Sequence, residues 1–109
     1  MPELNISLLR MAERYEPIDN AMVVPAAVGQ GTPVYNVRGR TLHTVFVSGL
    51  GTATLQVMAS VDNVNFFPVG QQITANGVYT IQGSFEALRV DVTAYTSGTP
   101  QVIIRSQLA

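Results

Sequence analysis

From about Val23 onward, the chain is a series of short apolar-alternating runs, separated by turn signals roughly every 8–12 residues. The clearest runs are residues 41–48 and 52–60, with weaker candidates at 23–24, 33–37 and 66–69. In the second clear run, apolar residues take alternate positions and would line one face of a strand: Ala53, Leu55, Val57 and Ala59. No segment of helical period separates the runs, which argues against a parallel α/β fold. The sequence therefore predicts an all-β fold, an antiparallel β-sandwich of jelly-roll-like type with seven to nine strands.

Two turns in the second half of the chain predict hairpins. Asn76-Gly77 would join residues 71–74 to 78–82, because Asn-Gly suits a tight two-residue turn. Residues 96–100 would join strands at 88–95 and 101–106. Strict alternation in the first of these strands points one set of residues inward, namely Leu88, Val90, Val92 and Ala94, and the other outward, namely Arg89, Asp91, Thr93 and Tyr95. Few charges protect this pair, so we expect its outer edge to meet another subunit.

The first 22 residues differ in character and predict an N-terminal arm or short helix, followed by a sandwich domain over residues 23–109. The chain has six basic and seven acidic side chains, and six of these lie in its first 19 residues. Apolar residues recur at helical spacing and would form one stripe: Leu4, Leu8, Met11, Ala12 and Tyr15. A helix of about three turns is marginal alone in water, so it needs a surface: its own domain, a sister subunit or another protein. An extended arm with the same anchors is the alternative.

Charge is sparse over the whole chain. Charged residues make up 12% of the sequence, about half the usual quarter, against 47% apolar residues. All six basic residues are arginine, and protein interfaces favour arginine over lysine. This composition favours a domain that lies against other protein; the alternative is a neutral β domain made soluble by Thr, Ser, Asn and Gln. A net charge of −1 gives no electrostatic footprint for nucleic acid, and no apolar run is long enough to predict a membrane span or signal peptide.

The chemistry-bearing residues indicate no enzyme and no cofactor. His43, the only histidine, falls inside a predicted strand and is expected to be structural or part of an interface. Residues 62–65 lack the ligand spacing and terminal glutamate of a calcium loop, so a turn is expected. Glu86 and Asp91 are five residues apart and would point to opposite faces of a strand. With no cysteine, the chain has neither a disulfide nor a thiolate metal site.

Candidate partner-binding residues fall into two groups. On the sandwich, tyrosine and arginine side chains predicted to face outward are typical interface anchors: Arg89, Tyr95 and Arg105. In the arm, the large apolar side chains would pack on a neighbour and become ordered on binding: Leu4, Ile6, Leu8, Leu9, Met11 and Tyr15.

Two stretches carry a family resemblance, residues 51–83 and 85–104. The alternating strand, the Asp/Asn turn before an aromatic pair, the ITANGVY segment and above all VTAYTSG resemble small β-sandwich structural proteins of tailed bacteriophages. The resemblance implies a non-enzymatic virion component of the head decoration (cement) type. It also implies assembly in the host cytoplasm, a place on the capsid exterior, a clamp between neighbouring major capsid subunits, and a homodimer or homotrimer, as in several members of the family.

A second resemblance implies a different class of function. SVDNVNFF, residues 60–67, is similar to the strand–turn–aromatic stretch of galactose-binding-like sandwich modules. That would make the chain a carbohydrate- or receptor-binding module of a phage tail or fibre. Sugar-binding platforms usually expose tryptophan or tyrosine, and this chain has no tryptophan.

Overall fold

The computed structural model describes residues 16–108. Within that range the regular structure is seven β-strands, numbered here in chain order. Their bounds are β1 Ile18–Met22, β2 Leu42–Ser48, β3 Ala53–Ser60, β4 Phe67–Pro68, β5 Gly77–Gln82, β6 Ala87–Tyr95 and β7 Gln101–Gln107. Among these residues no helix is long and apolar enough to cross a membrane.

The strands form two antiparallel sheets with one core between them. The four-stranded sheet has the order β1-β7-β2-β5, and the three-stranded sheet has the order β4-β3-β6. Val102 and Ile104 of β7 are buried with Leu55 and Val57 of β3 in a single apolar cluster. The predicted all-β antiparallel sandwich is confirmed, whereas the jelly-roll connection stays a prediction.

The two clearest sequence patterns give the two central strands as expected. The predicted inward set of β3 is buried, and Val45 and Val47 of β2 alternate with the exposed Phe46. Gln56 of β3 is buried on the opposite face, where its amide group donates to the carbonyl oxygens of Val57 and Val69, both at 3.1 Å. This face of β3 is covered at Gln56 and half-exposed at Thr54 and Met58, and the buried amide needs internal partners.

The predicted hairpin at Asn76-Gly77 is wrong. Ile73 pairs with Leu55 of the three-stranded sheet, whereas β5 pairs with β2 of the four-stranded sheet. The Asn76 side-chain oxygen accepts a hydrogen bond from the Leu50 backbone at 2.9 Å, so it supports a neighbouring loop. Asn-Gly here carries the chain from one sheet to the other, because the segments on either side find partners distant in sequence.

The predicted C-terminal hairpin is also wrong, since β6 and β7 lie in different sheets. The turn between them packs on the β2–β3 loop: the Thr99 amide donates to the Gly49 carbonyl at 3.0 Å, and the Thr52 amide to the Ser97 carbonyl at 3.1 Å. Gly98 has φ +120°, and an added Cβ would lie 2.3 Å from the Leu50 carbonyl oxygen. Because β7 lies between β1 and β2, it has no free edge to offer a neighbour.

The outer edge of β6 is covered by the chain itself. The Gly29 amide donates to the Val92 carbonyl at 3.0 Å, and the Val34 amide to the Leu88 carbonyl at 2.9 Å. The candidate strands at 23–24 and 33–37 form only isolated bridges, Val23 with Thr32 and Val34 with Leu88. The prediction that a C-terminal edge awaits another subunit is therefore not supported by the fold.

A β-bulge corrects the predicted direction of Tyr95. Leu55 pairs with Val92 but Thr54 pairs with Ala94, so β6 carries one extra residue at Thr93. An extra residue reverses the alternation beyond it. Ala94 is consequently exposed, and Tyr95 turns inward onto the core with its hydroxyl donating to the Gly98 carbonyl at 2.7 Å.

The sheet also begins earlier than predicted. β1 lies inside the expected arm of residues 1–22, yet it pairs with β7 along its whole length, from Ile18 opposite Ser106 to Met22 opposite Val102. Residues 18–22 therefore belong to the sandwich. The apolar residues predicted as arm anchors, Leu4, Ile6, Leu8, Leu9, Met11 and Tyr15, lie outside the described residues.

Candidate interaction surface

The outer face of the four-stranded sheet carries a row of apolar side chains. The register places Ala21 of β1 beside Ile103 of β7, Ile103 beside Phe46 of β2, and Phe46 beside Val78 of β5. We call these four residues the apolar row. The exposed fractions of Phe46, Val78 and Ile103 are 43%, 60% and 48%, although the inner sides of the same strands are closely packed.

The apolar row lies along an open groove of about 680 Å³. Its walls are extended by Val23, Val24, Ser48, Gly77 and Pro100. Most of these side chains are apolar. Covering the three large side chains of the row would contribute on the order of 1 kcal/mol each, since about half of each remains exposed.

A polar row follows immediately along the same face, formed by Asp19, Arg105, Thr44 and Thr80. Arg105 donates two hydrogen bonds to the Asp19 carboxylate, from Nε at 2.7 Å and from Nη2 at 2.9 Å. These bonds hold the pKa of Asp19 below its usual value and raise the pKa of Arg105. Arg105, a predicted partner-binding residue, thus lies on the exposed face two residues from Ile103, with its guanidinium already paired.

A second exposed apolar surface spans the loop after β3 and the first residue of β4, and we call Val61, Val64 and Phe67 the loop tip. Their exposed fractions are 72%, 77% and 67%. The loop is the turn predicted from residues 62–65, and Asn63 there has φ +63°. β3 is eight residues long, so the loop tip lies about 25 Å along the strand from the loop that follows β2.

Asp62 organises this loop. Its Oδ1 accepts hydrogen bonds from the Ser60 hydroxyl at 2.9 Å and from the amides of Val64 and Asn65 at 2.9 and 2.8 Å. Its Oδ2 accepts one from the Asn65 side-chain amide at 2.8 Å. These donors, the Asn65 amide first, lower the pKa of Asp62 well below its usual range. The loop tip is therefore presented on a fixed backbone.

Arg89, another predicted partner-binding residue, is engaged within the chain. Its guanidinium lies 4.4 Å from the centre of the Phe66 ring and donates to the Asp91 carboxylate at 2.7 and 2.9 Å. Asp91 also accepts from the Gly31 amide at 3.1 Å. The side chains of Arg89 and Asp91 are only 11% and 14% exposed, so this pair fastens the loop over β6 and offers little surface to a partner.

His43 is buried between the ends of two strands. The Gly83 carbonyl oxygen lies 3.0 Å from Nε2 and can only accept, so Nε2 carries the proton. Nδ1 then accepts from the Ser106 hydroxyl at 2.7 Å. Burial lowers the pKa of His43, and the hydrogen bond to Gly83 opposes that shift. Both ring nitrogens are used in the fold, in line with the structural role predicted.

The two remaining acidic candidates, Glu86 and Asp91, are not paired with each other. Glu86 lies 3.4 Å from Arg38, whereas Asp91 is bound to Arg89, so the two carboxylates serve separate arginines. Within residues 16–108 no group of three or more His, Cys, Asp or Glu side chains could hold a metal ion. The described surface is therefore notable for its two apolar regions. Sequence reasoning missed the apolar row, because the row joins residues from four separate strands and no local pattern reveals it. It singled out residues 60–67, which contain the loop tip, only through their resemblance to sugar-binding modules.

Comparison with known proteins identifies the fold. No protein-family model matches the sequence, and no curated protein matches it. Among solved structures, the SPBc2 prophage-derived protein YomS is similar with a TM-score of 0.67 and 13% identity, over 84% of this chain and 94% of YomS. The PBSX exported protein XepA is similar with a TM-score of 0.66 and 14% identity, over 84% of this chain but 37% of XepA.

A third similar structure is a part of IMPa from Pseudomonas aeruginosa, solved in complex with an O-glycopeptide. The TM-score is 0.58 and the identity 13%, over 88% of this chain and 13% of IMPa. At such identities the likeness establishes the fold alone. The chain is an all-β sandwich of the type found in phage-derived proteins such as YomS, which it matches over nearly the whole length of that protein.

Proposed function

We propose that this chain is a structural protein of a tailed-phage virion: a decoration (cement) protein on the capsid exterior that clamps neighbouring major capsid subunits. The observation that carries the proposal is the presence of two separate exposed apolar surfaces, the apolar row on one sheet and the loop tip beyond the other. A clamp needs one surface that contacts the shell and a second that joins it to another copy on a neighbouring subunit, whereas a small-molecule site needs convergent polar groups in one pocket.

The fold supports the proposal because the similarity to the prophage-derived YomS covers 84% of this chain and 94% of YomS. Composition agrees with it as well. With 12% charged residues, the chain has few ionic groups to discourage close approach by other subunits.

The loop tip is suited to contact the shell because its backbone is fixed before binding. Four hydrogen bonds to Asp62 hold the loop, so little backbone freedom remains to be lost when a partner covers Val61 and Val64. Linked contacts on an ordered lattice raise the effective concentration, so avidity exceeds single-site affinity by roughly 10²–10⁴. Binding only to the assembled shell would stabilise it by mass action.

The test is co-sedimentation of purified protein with DNA-free heads of the phage whose genome encodes the chain. Val64→Asp places a charge in the loop tip and should abolish saturable binding. Gln72→Asp adds the same charge at another exposed position and should leave binding unchanged. Heads that sediment without the wild-type protein, or that bind both variants equally, would contradict the proposal.

The second candidate is a carbohydrate- or receptor-binding module of a tail or fibre. The observation that favours it is the fold shared with a part of IMPa, which was solved with an O-glycopeptide. A glycan array run beside the sedimentation assay separates the two functions. Saturable sugar binding by protein that ignores the heads would favour this second candidate.

A further inference from the structure

We propose that the groove along the apolar row is the docking site for residues 1–15 of a second copy of this chain. Four strands set the row about 14 Å wide, as neighbouring strands are about 4.8 Å apart. Direct contact between two such rows would bury far less than the roughly 800 Å² per partner of a stable interface. A longer apolar element has to supply the rest.

The chain contains such an element outside the described residues. Leu4 and Leu8 are four residues apart, which places them on the same face of either a helix or a strand. Met11 extends that face in a helix, and Ile6 extends it in a strand. An extended stretch from Leu4 to Leu8 spans about 13 Å, which matches the width of the row. The inference therefore holds for either conformation.

The position where the described chain begins favours a second copy over the same chain. The Glu16 carbonyl accepts a hydrogen bond from Arg40 at 3.1 Å, at the end of the sheet where β1 begins. The groove lies at the other end of β1, beside Met22 and Val23. Pro17 disfavours helical backbone at Glu16, and residues 1–15 would have to double back along the whole of β1 to reach the groove of their own chain.

Returning over its own sheet would also bring the segment across the polar row. Its residues nearest Glu16 would then cover the paired Asp19 and Arg105 and the hydroxyl of Thr44 before reaching an apolar surface. Burying polar groups without new partners is unfavourable. The arm of a second copy can instead enter the groove along the apolar row without crossing the polar row.

In a reciprocal exchange of arms, every copy has its arm bound and its groove filled. Each chain offers one arm and uses one groove, so a closed pair or ring leaves neither uncovered. After the first arm docks, the second contact of a pair is intramolecular and gains effective concentration. This inference concerns self-association and does not depend on the shell being the partner.

Disulfide trapping tests the inference cleanly, because the chain has no cysteine of its own. Leu8→Cys and Ile103→Cys are made on separate copies, one carrying a size tag, then mixed and oxidised. We expect a mixed disulfide dimer of distinct gel mobility. Val64→Cys replaces Ile103→Cys as the control and should give no such dimer. An internal disulfide in a doubly substituted monomer, or no disulfide in either arrangement, would overturn the inference.

Light scattering gives an independent readout. The full chain should be a dimer or larger closed oligomer at micromolar concentration, and deletion of residues 1–15 should give a folded monomer. Phe46→Ser should weaken self-association roughly tenfold or more, whereas Tyr35→Ser, at an exposed aromatic away from the groove, should not. A full-length monomer, or an oligomer indifferent to both the deletion and Phe46→Ser, would refute the proposal. Loss of shell binding by Val64→Asp alone would leave these results unchanged.

Discussion

Replacement of Gly98 tests most directly whether the turn between β6 and β7 packs closely on the loop between β2 and β3. Two effects oppose alanine there. The φ of +120° is unfavourable for any residue with a Cβ, at a cost of about 1–2 kcal/mol. The new Cβ would also lie 2.3 Å from the Leu50 carbonyl oxygen, and such overpacking costs roughly 1–3 kcal/mol.

Gly98→Ala should therefore lower the free energy of unfolding by about 2–5 kcal/mol, the sum of those two ranges. Each kcal/mol corresponds to roughly 4–8 °C in Tm for a domain of this size, so Tm should fall by about 10 °C or more. Urea denaturation and thermal unfolding followed by circular dichroism measure both quantities.

Two other glycines separate the strain from the contact. Gly39 has φ +81° but open space where a Cβ would be, so Gly39→Ala should show only the backbone cost of about 1–2 kcal/mol. At Gly29 the Cβ would have ordinary contact with Pro25 at 3.9 Å, and Gly29→Ala should be nearly neutral. If Gly98→Ala is no worse than Gly39→Ala, the loop contact does not constrain the turn and the argument fails.

Three further predictions concern polar groups in the fold. Because the pKa of His43 is lowered in the folded chain, the unfolded chain takes up a proton at this histidine at higher pH than the folded chain does. The free energy of unfolding should therefore fall as the pH drops below about 6.5. His43→Gln should remove that dependence between about pH 7.5 and 5.5. Because the pKa of Asp62 is lowered, its hydrogen bonds within the loop should be complete above about pH 4 and lost in stronger acid. At neutral pH, hydrogen exchange of the Val64 amide should become faster in Asp62→Ala and stay slow in a variant altered at Gln72. Tyr95→Phe should cost about 1 kcal/mol in urea denaturation by removing the bond to Gly98; no change would mean that the hydroxyl contact is not made in solution.

Local alternation predicted the strands but not their partners. β2 and β3 could be read from the sequence because one face of each is buried along its whole length, and burial of one face leaves a period of two. The pairing of β7 with β1 and β2 joins residues more than fifty positions apart, and no local pattern contains that information. The hairpins predicted at Asn76-Gly77 and around Gly98 were wrong for the same reason. Glycine permits a sharp turn but does not specify which sheet the chain enters next.

The candidate site was even less accessible from the sequence. Phe46 and Ile103 are each flanked by buried residues in their own strands, so each resembles ordinary core when the strand is considered alone. Only the register shows that both face solvent and are neighbours. Tyr95 shows the converse error, since a single extra residue at Thr93 turned a predicted surface anchor into part of the core.

The arrangement of charge and apolar surface distinguishes two roles for the exposed regions. Where the fold needs rigidity, polar groups are paired inside the chain: Arg89 with Asp91, Arg105 with Asp19, and Asp62 with its own loop. Paired charges contribute little attraction toward another protein, so they fix the shape of the surface more than they recognise a partner. The exposed apolar side chains have no such internal partners among the residues described, and their burial is the main free energy left for association. If the proposed function is right, such a protein would bind by matching shape on a rigid body. That mode suits a lattice of identical neighbours better than a soluble ligand, which would require directed polar groups to fix its orientation.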